Sequence, residues 1–173
     1  LTISATGSVS RTSGHVVGNL AKDVATGFTI VRTFEIGDAT KYTPVSVTFA
    51  HVTGGGGGIL TATTTSTDHP NIATSTIDPT SSANRYWTLT NTGVSFSTYD
   101  VTFTFVAGDV DAGADPLQFI VGNYTGATWA YPTLGTRTAT TTQATGLTAF
   151  GDFQLGLQQG GTFTSTATGG NWS

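Results

Sequence analysis

Apolar residues recur at every second position in segment after segment of this chain, and no stretch shows the 3.6-residue period of an amphipathic helix. Val45, Val47 and Phe49 alternate with Ser46 and Thr48. Phe28, Ile30, Arg32 and Phe34 alternate with Thr29, Val31 and Thr33, and Tyr99, Val101, Phe103 and Phe105 with Asp100, Thr102 and Thr104. Trp87 and Leu89 face opposite to Tyr86 and Thr88, and Leu117, Phe119 and Val121 form a further apolar row. Each pattern is that of a strand with one dry face and one wet face. Thr makes up about a fifth of the residues, and a β-branched hydroxyl side chain suits a pleated, half-wet surface. The expected fold is therefore all-β: an antiparallel β-sandwich, Greek-key or jelly-roll-like, with little or no helix. Its core is expected to contain Phe28, Phe34, Phe49, Trp87, Phe103, Phe105, Phe119 and Phe153.

Turn signals separate these runs: Gly37-Asp38, Asp68 to Asn71, Asp78-Pro79, Asn91 to Gly93, Gly108-Asp109 and Gly113 to Pro116. The pentaglycine Gly54 to Gly58 lacks side chains to pack and predicts a loop or a long hairpin tip. A chain of 173 residues is long enough for one sizeable core. The organisation read from it is an N-terminal strand or linker over 1–13, a sandwich over 14–161 and an extended arm over 162–173. Leu1 and Ile3 in the first segment, and Phe163 and Trp172 in the last, are apolar anchors in otherwise small or polar stretches, and they are the expected assembly contacts.

Charge excludes several partners. Only 9% of the residues are charged, the net charge is -4, and the six Lys and Arg residues are scattered singly. That leaves no basic footprint for nucleic acid. No apolar run approaches the roughly 20 residues of a spanning helix, so membrane insertion is not expected. The absence of Cys, together with the Thr and Gly bias, points to an exported protein.

Three features are candidate sites. Asp109, Asp111 and Asp115 lie close together on a glycine-containing loop, and carboxylates so placed are the hard oxygen ligands that a structural Ca²⁺ takes. The alternative is a solvated turn. Tyr124, Trp129 and Tyr131 supply flat faces on which a surface polysaccharide can stack; the competing reading places Trp129 and Tyr131 over a sandwich edge. His15, His51 and His69 are too dispersed for a metal or catalytic spacing, Glu35 is the only glutamate, and no nucleophile motif occurs. No catalytic residues are expected, and no cofactor beyond the Ca²⁺.

Several phrases in order resemble a known setting. Gly14-His15-Val16-Val17-Gly18-Asn19-Leu20-Ala21-Lys22 is followed by Phe34-Glu35-Ile36-Gly37-Asp38 and Tyr42-Thr43-Pro44-Val45. Further on come Asn84 to Thr90, Trp129-Ala130-Tyr131-Pro132, and Gly146-Leu147-Thr148 through Gly151-Asp152-Phe153. The series is similar to repeated β modules of large secreted or cell-surface proteins of Gram-negative bacteria, many from the Bacteroidota, exported by the type IX route or by autotransport. Gly169 to Ser173 resembles the opening of a following module. The resemblance implies an extracellular or cell-surface location, a structural or adhesive role, and neighbouring copies or modules of the same protein as partners.

Overall fold

The computed structural model describes residues 1–54 and 57–160. It is 56% strand and 6% helix, with no helix of seven or more residues among the described residues. None there is long and apolar enough to cross a membrane. One sheet has seven strands in the order β1 (Thr2–Ile3), β3 (Leu20–Val24), β7 (Gly58–Thr65), β8 (Ile77–Thr92), β15 (Asp152–Gln158), β11 (Ile120–Tyr124) and β12 (Trp129–Ala130). The other runs β13 (Thr133–Arg137), β14 (Thr141–Leu147), β10 (Tyr99–Thr104), β6 (Val45–Thr53) and β4 (Gly27–Phe34), with β9 (Ser95–Phe96) paired to the end of β6. A small separate pair joins β2 (Val16–Val17) to β5 (Ile36–Gly37).

Pairing is antiparallel except at β1–β3 and β2–β5, which are parallel. The chain lays down two strands in one large sheet before it crosses to the other, and β15 returns to lie between β8 and β11, a Greek-key type of closure. The alternation read from the sequence sorts residues as a sandwich requires. Val45, Val47 and Phe49 of β6, and Tyr99, Val101 and Phe103 of β10, are buried from one sheet. Leu60, Trp87, Leu89, Phe153 and Leu155 meet them from the other. Trp87 and Phe153 both pack on Phe103, with ring centroids 5.1 and 5.0 Å away.

Three local expectations are corrected. Phe28 is not in the core but 74% exposed. Thr29 takes φ 53°, which breaks the pleat between Phe28 and Ile30 and turns Phe28 outward. There it lies flat on His51 of the neighbouring strand, with centroids 3.9 Å apart. Asp78-Pro79 does not end a strand. It lies inside the course of β8, where the β15 register shifts, and the Asp78 carboxylate accepts the Thr80 N–H to close a local bulge. Leu117 is half exposed on a 3-10 turn over Pro116–Gln118, because Asp115 caps that turn by accepting the Leu117 N–H, and the strand begins only at Ile120.

The glycine run does not close a hairpin: Gly54 follows β6 of one sheet and Gly58 opens β7 of the other, so the run joins strands that do not pair, and its end is close-packed. Gly57 has φ +72°, and a Cβ there would stand 2.1 Å from the Val24 carbonyl oxygen. Gly58 already belongs to β7, where a Cβ would strike the Gly93–Val94 backbone.

The burial contrast carries a test. Phe103→Ala should lower the unfolding free energy by about 3–5 kcal/mol, whereas Phe28→Ala should change it by less than about 0.5 kcal/mol. Urea unfolding followed by tryptophan fluorescence measures both.

Candidate functional site

The acidic segment that reads as a Ca²⁺ loop comes apart in the fold. Asp109 is 1% exposed and points into the sandwich, where Arg85 of β8, itself fully buried, donates Nε–H to its Oδ2 at 2.9 Å and Nη2–H to its Oδ1 at 3.2 Å. Lys41 donates to the same Oδ1 at 2.7 Å, and Arg85 Nη2 also reaches Asp38 Oδ2. Asp111 turns to β8 instead, accepting the Ser82 N–H at 2.9 Å and the Asn84 amide at 2.7 Å. Asp115 is occupied as the cap of the Pro116 turn. The three carboxylates therefore serve three different partners. Among the described residues, no group of three His, Asp or Glu side chains is arranged to hold a metal ion.

Electrostatics follow from that arrangement. Burial by itself would raise the Asp109 carboxyl, but hydrogen bonds from Arg85 and Lys41 outweigh it and hold the group below the usual carboxylate range. Asp38 behaves alike: burial opposes ionisation, and Arg85 with the Thr40 and Lys41 N–H groups holds the carboxyl well below the ordinary value. Burial would lower Arg85, but its two carboxylate partners raise it. Two cations and two anions thus form a charge-balanced knot. Its members come from separate stretches of the sequence, and the fold brings Asp38, Lys41 and Asp109 together around Arg85 of β8.

The aromatic trio is also redistributed. His69, 4% exposed, sits at the centre of a box whose walls are Tyr86, Tyr124 and Trp129, with ring centroids 5.1, 4.9 and 5.1 Å from it. The Asn71 N–H donates to His69 Nδ1 at 3.1 Å, so Nε2 carries the proton and donates it to Asp152 Oδ2 at 3.0 Å. Asp152 Oδ1 accepts the Thr88 hydroxyl at 2.6 Å. Both imidazole nitrogens are thereby committed, and neither offers a lone pair as a general base. Trp129 donates its indole N–H to Asn71 O and Thr74 Oγ1. Trp129 and Tyr124 are thus packed upon a histidine of the chain itself, whereas Tyr131 stands apart at 41% exposure.

Beside this box, Ser82 is shared by two acids: its hydroxyl donates to Asp68 at 2.6 Å while its N–H donates to Asp111. Burial, with the negative charge of Asp111, holds the Asp68 carboxyl above its ordinary value despite hydrogen bonds from Ser82 and Gln154. The lone glutamate, Glu35, pairs with the buried Lys22 at 2.7 Å.

The expected assembly anchors divide as well. Ile3 packs against the core within the edge strand β1, in parallel register with Lys22. Leu1 is 70% exposed, although its carbonyl accepts the Ala21 N–H at 2.8 Å. Phe163 and Trp172 lie outside the described residues. An anchor with no place in the sequence expectation is Phe28, which stands with Val31 (48% exposed) on β4, the edge of its sheet. Comparison with protein-family models, curated proteins and solved structures finds no match for this chain.

Two substitutions probe the charges. Arg85→Met leaves Asp38 and Asp109 without their principal partner and should cost about 3–5 kcal/mol in urea unfolding at neutral pH. Asp68→Asn should raise the Tm at any pH above the folded-state pKa of Asp68, because burial and the charge of Asp111 disfavour the ionised carboxylate. Its folded-state pKa lies above the unfolded one, so the penalty is present above the folded pKa and fades as pH falls through it. The Tm gain should shrink accordingly in acid, as a pH series of melts would show.

Proposed function

We propose that this chain is a non-enzymatic structural and adhesive module of an exported bacterial surface protein, which meets neighbouring copies of itself along the open edge of β4. The observation that carries the reading is the placing of Phe28, 74% exposed, and Val31 on an edge strand. An edge offers unpaired backbone groups to another strand, and large apolar side chains beside it add area to bury. Part of that edge is covered: Arg32 lays its guanidinium on the carbonyls of Asp23, Val31 and Ala5. The stretch around Gly27 to Ile30 carries no such cover from Arg32, and it is where Phe28 stands.

Two further facts support the reading. The side chains best suited to chemistry, His69, Asp109, Asp152 and Lys22, are all held in internal pairs. With 9% charged residues and a net charge of -4, copies repel one another only weakly. The module then contributes a rigid, nearly uncharged block whose edge does the joining.

Sedimentation velocity over a concentration series tests this. The wild-type chain should show concentration-dependent association, and Phe28→Lys should shift it to monomer while leaving the Tm within about 2 °C. A wild-type chain that stays monomeric throughout, or a Phe28→Lys variant that associates as before, would overturn the β4 contact.

A further inference from the structure

Tyr131 and Pro132 carry the chain from β12 in one sheet to β13 in the other, across a flank of the sandwich. They border two clefts, of about 220 and 230 Å³. The first is also lined by Asn123, Thr125 and Thr148, and the second by Thr76 and Gln158. Each cleft thus pairs the Tyr131–Pro132 wall with one side-chain amide and threonine. None of the residues lining either cleft carries a charge. Tyr131 is held in place at its far end, where its hydroxyl oxygen accepts the Thr76 N–H at 2.6 Å.

A second, independent observation concerns Asn123, one of the residues lining the first cleft. Asn123 is 4% exposed, and its Nδ2 donates to the Ala149 carbonyl at 3.0 Å, but its Oδ1 has no hydrogen-bond partner. A buried amide oxygen left without a donor costs stability, and native structures supply such atoms with a donor from protein, water or ligand.

We infer that the two clefts form one binding site for a neutral oligosaccharide, with one sugar ring on either side of Tyr131. The chemistry selects this class. A pyranose presents a C–H face that packs on an aromatic ring and on proline, and its rim of hydroxyls suits amides and threonines. An anionic or cationic ligand finds no opposite charge in the lining. A purely aliphatic one satisfies none of the amide and threonine groups of the lining, Asn123 among them. Of the three aromatic residues singled out by the sequence, only Tyr131 belongs to this site, since Trp129 and Tyr124 pack upon His69. The site is separate from the β4 edge, which lies at the opposite end of the six-stranded sheet from β13.

Affinity electrophoresis in native gels containing xylan, glucomannan, laminarin or soluble starch tests the inference. At least one of these neutral polysaccharides should retard the wild-type chain. Tyr131→Ala should weaken that retardation about tenfold or more, in line with loss of a stacking aromatic, while Tyr131→Phe keeps most of it. Gln158→Leu, remote from the core, should weaken binding without lowering the Tm, so the test survives even if Tyr131→Ala folds poorly. Phe28→Lys should bind as the wild type does, which separates this site from the edge contact. Retardation by none of the four polysaccharides would overturn the site, as would retardation that neither Tyr131→Ala nor Gln158→Leu reduces.

Discussion

A guanidinium buried between two sheets cannot remain there as a bare charge, and the architecture at one end of this sandwich is organised around that constraint. Arg85 projects from β8 into the interior beside Trp87 and is met by Asp109 from beyond β10 and by Asp38 from the turn after β5. Lys41 completes the balance on Asp109. Desolvating these charges is costly, and their attraction compensates only because each is held at hydrogen-bonding distance in a fixed geometry. The knot therefore defines where two connections, β5 to β6 and β10 to β11, must lie relative to β8. A second tie runs parallel to it, from the Trp87 indole N–H to the Thr43 carbonyl at 3.1 Å. Replacing all four charges with apolar groups of the same shape need not weaken the fold, but removing one alone leaves the others stranded.

Polar residues inside this molecule fasten loops to strands. His69 holds the turn through Asn71 and joins it to β15 through Asp152, while Gln154 of β15 takes the His69 N–H and donates to Asp68 and the Ala83 carbonyl. Trp129 and Tyr131 then tie the β11–β12 hairpin and the segment after it to the same turn. The outer side of the seven-stranded sheet is consequently a braced surface on which connections are stacked. A sandwich so braced presents its flanks and edges at constant geometry, which suits joining and holding.

Threonine plays several parts in this scheme. On the strands it fills wet positions next to buried ones, as Thr102 does between Val101 and Phe103. In the β13–β14 hairpin it makes the turn itself, with the Thr138 hydroxyl accepting the Thr140 and Thr141 N–H groups. The run Thr140 to Thr142 is thus partly turn and partly strand, and Thr142 faces inward with no exposure.

What the sequence determined alone is the set of strands and the side each residue faces, because alternation with period two is a local property that the pleat enforces. The rows through Val47, Phe49, Trp87, Val101 and Phe103 were legible for that reason, and so was the all-β class. Phe28 escaped because one residue at positive φ inverts the pattern, and nothing around Thr29 announces it. Leu117 escaped because a cap by Asp115 competes with extension. The sites were legible only in fragments. Three aspartates within seven residues look like one ligand set, yet successive side chains leave a chain in different directions, and the fold sends Asp109, Asp111 and Asp115 to partners 24, 29 and 2 residues away. Likewise Tyr124, Trp129 and Tyr131 are near in sequence but divided by what packs beside them. Only tertiary structure decided that Arg85 would be buried, that His69 would fill an aromatic box, and that Tyr131 would stand between two clefts. These depend on which strands become neighbours, and that is set by long-range closure of the sheets, which no local window of residues contains.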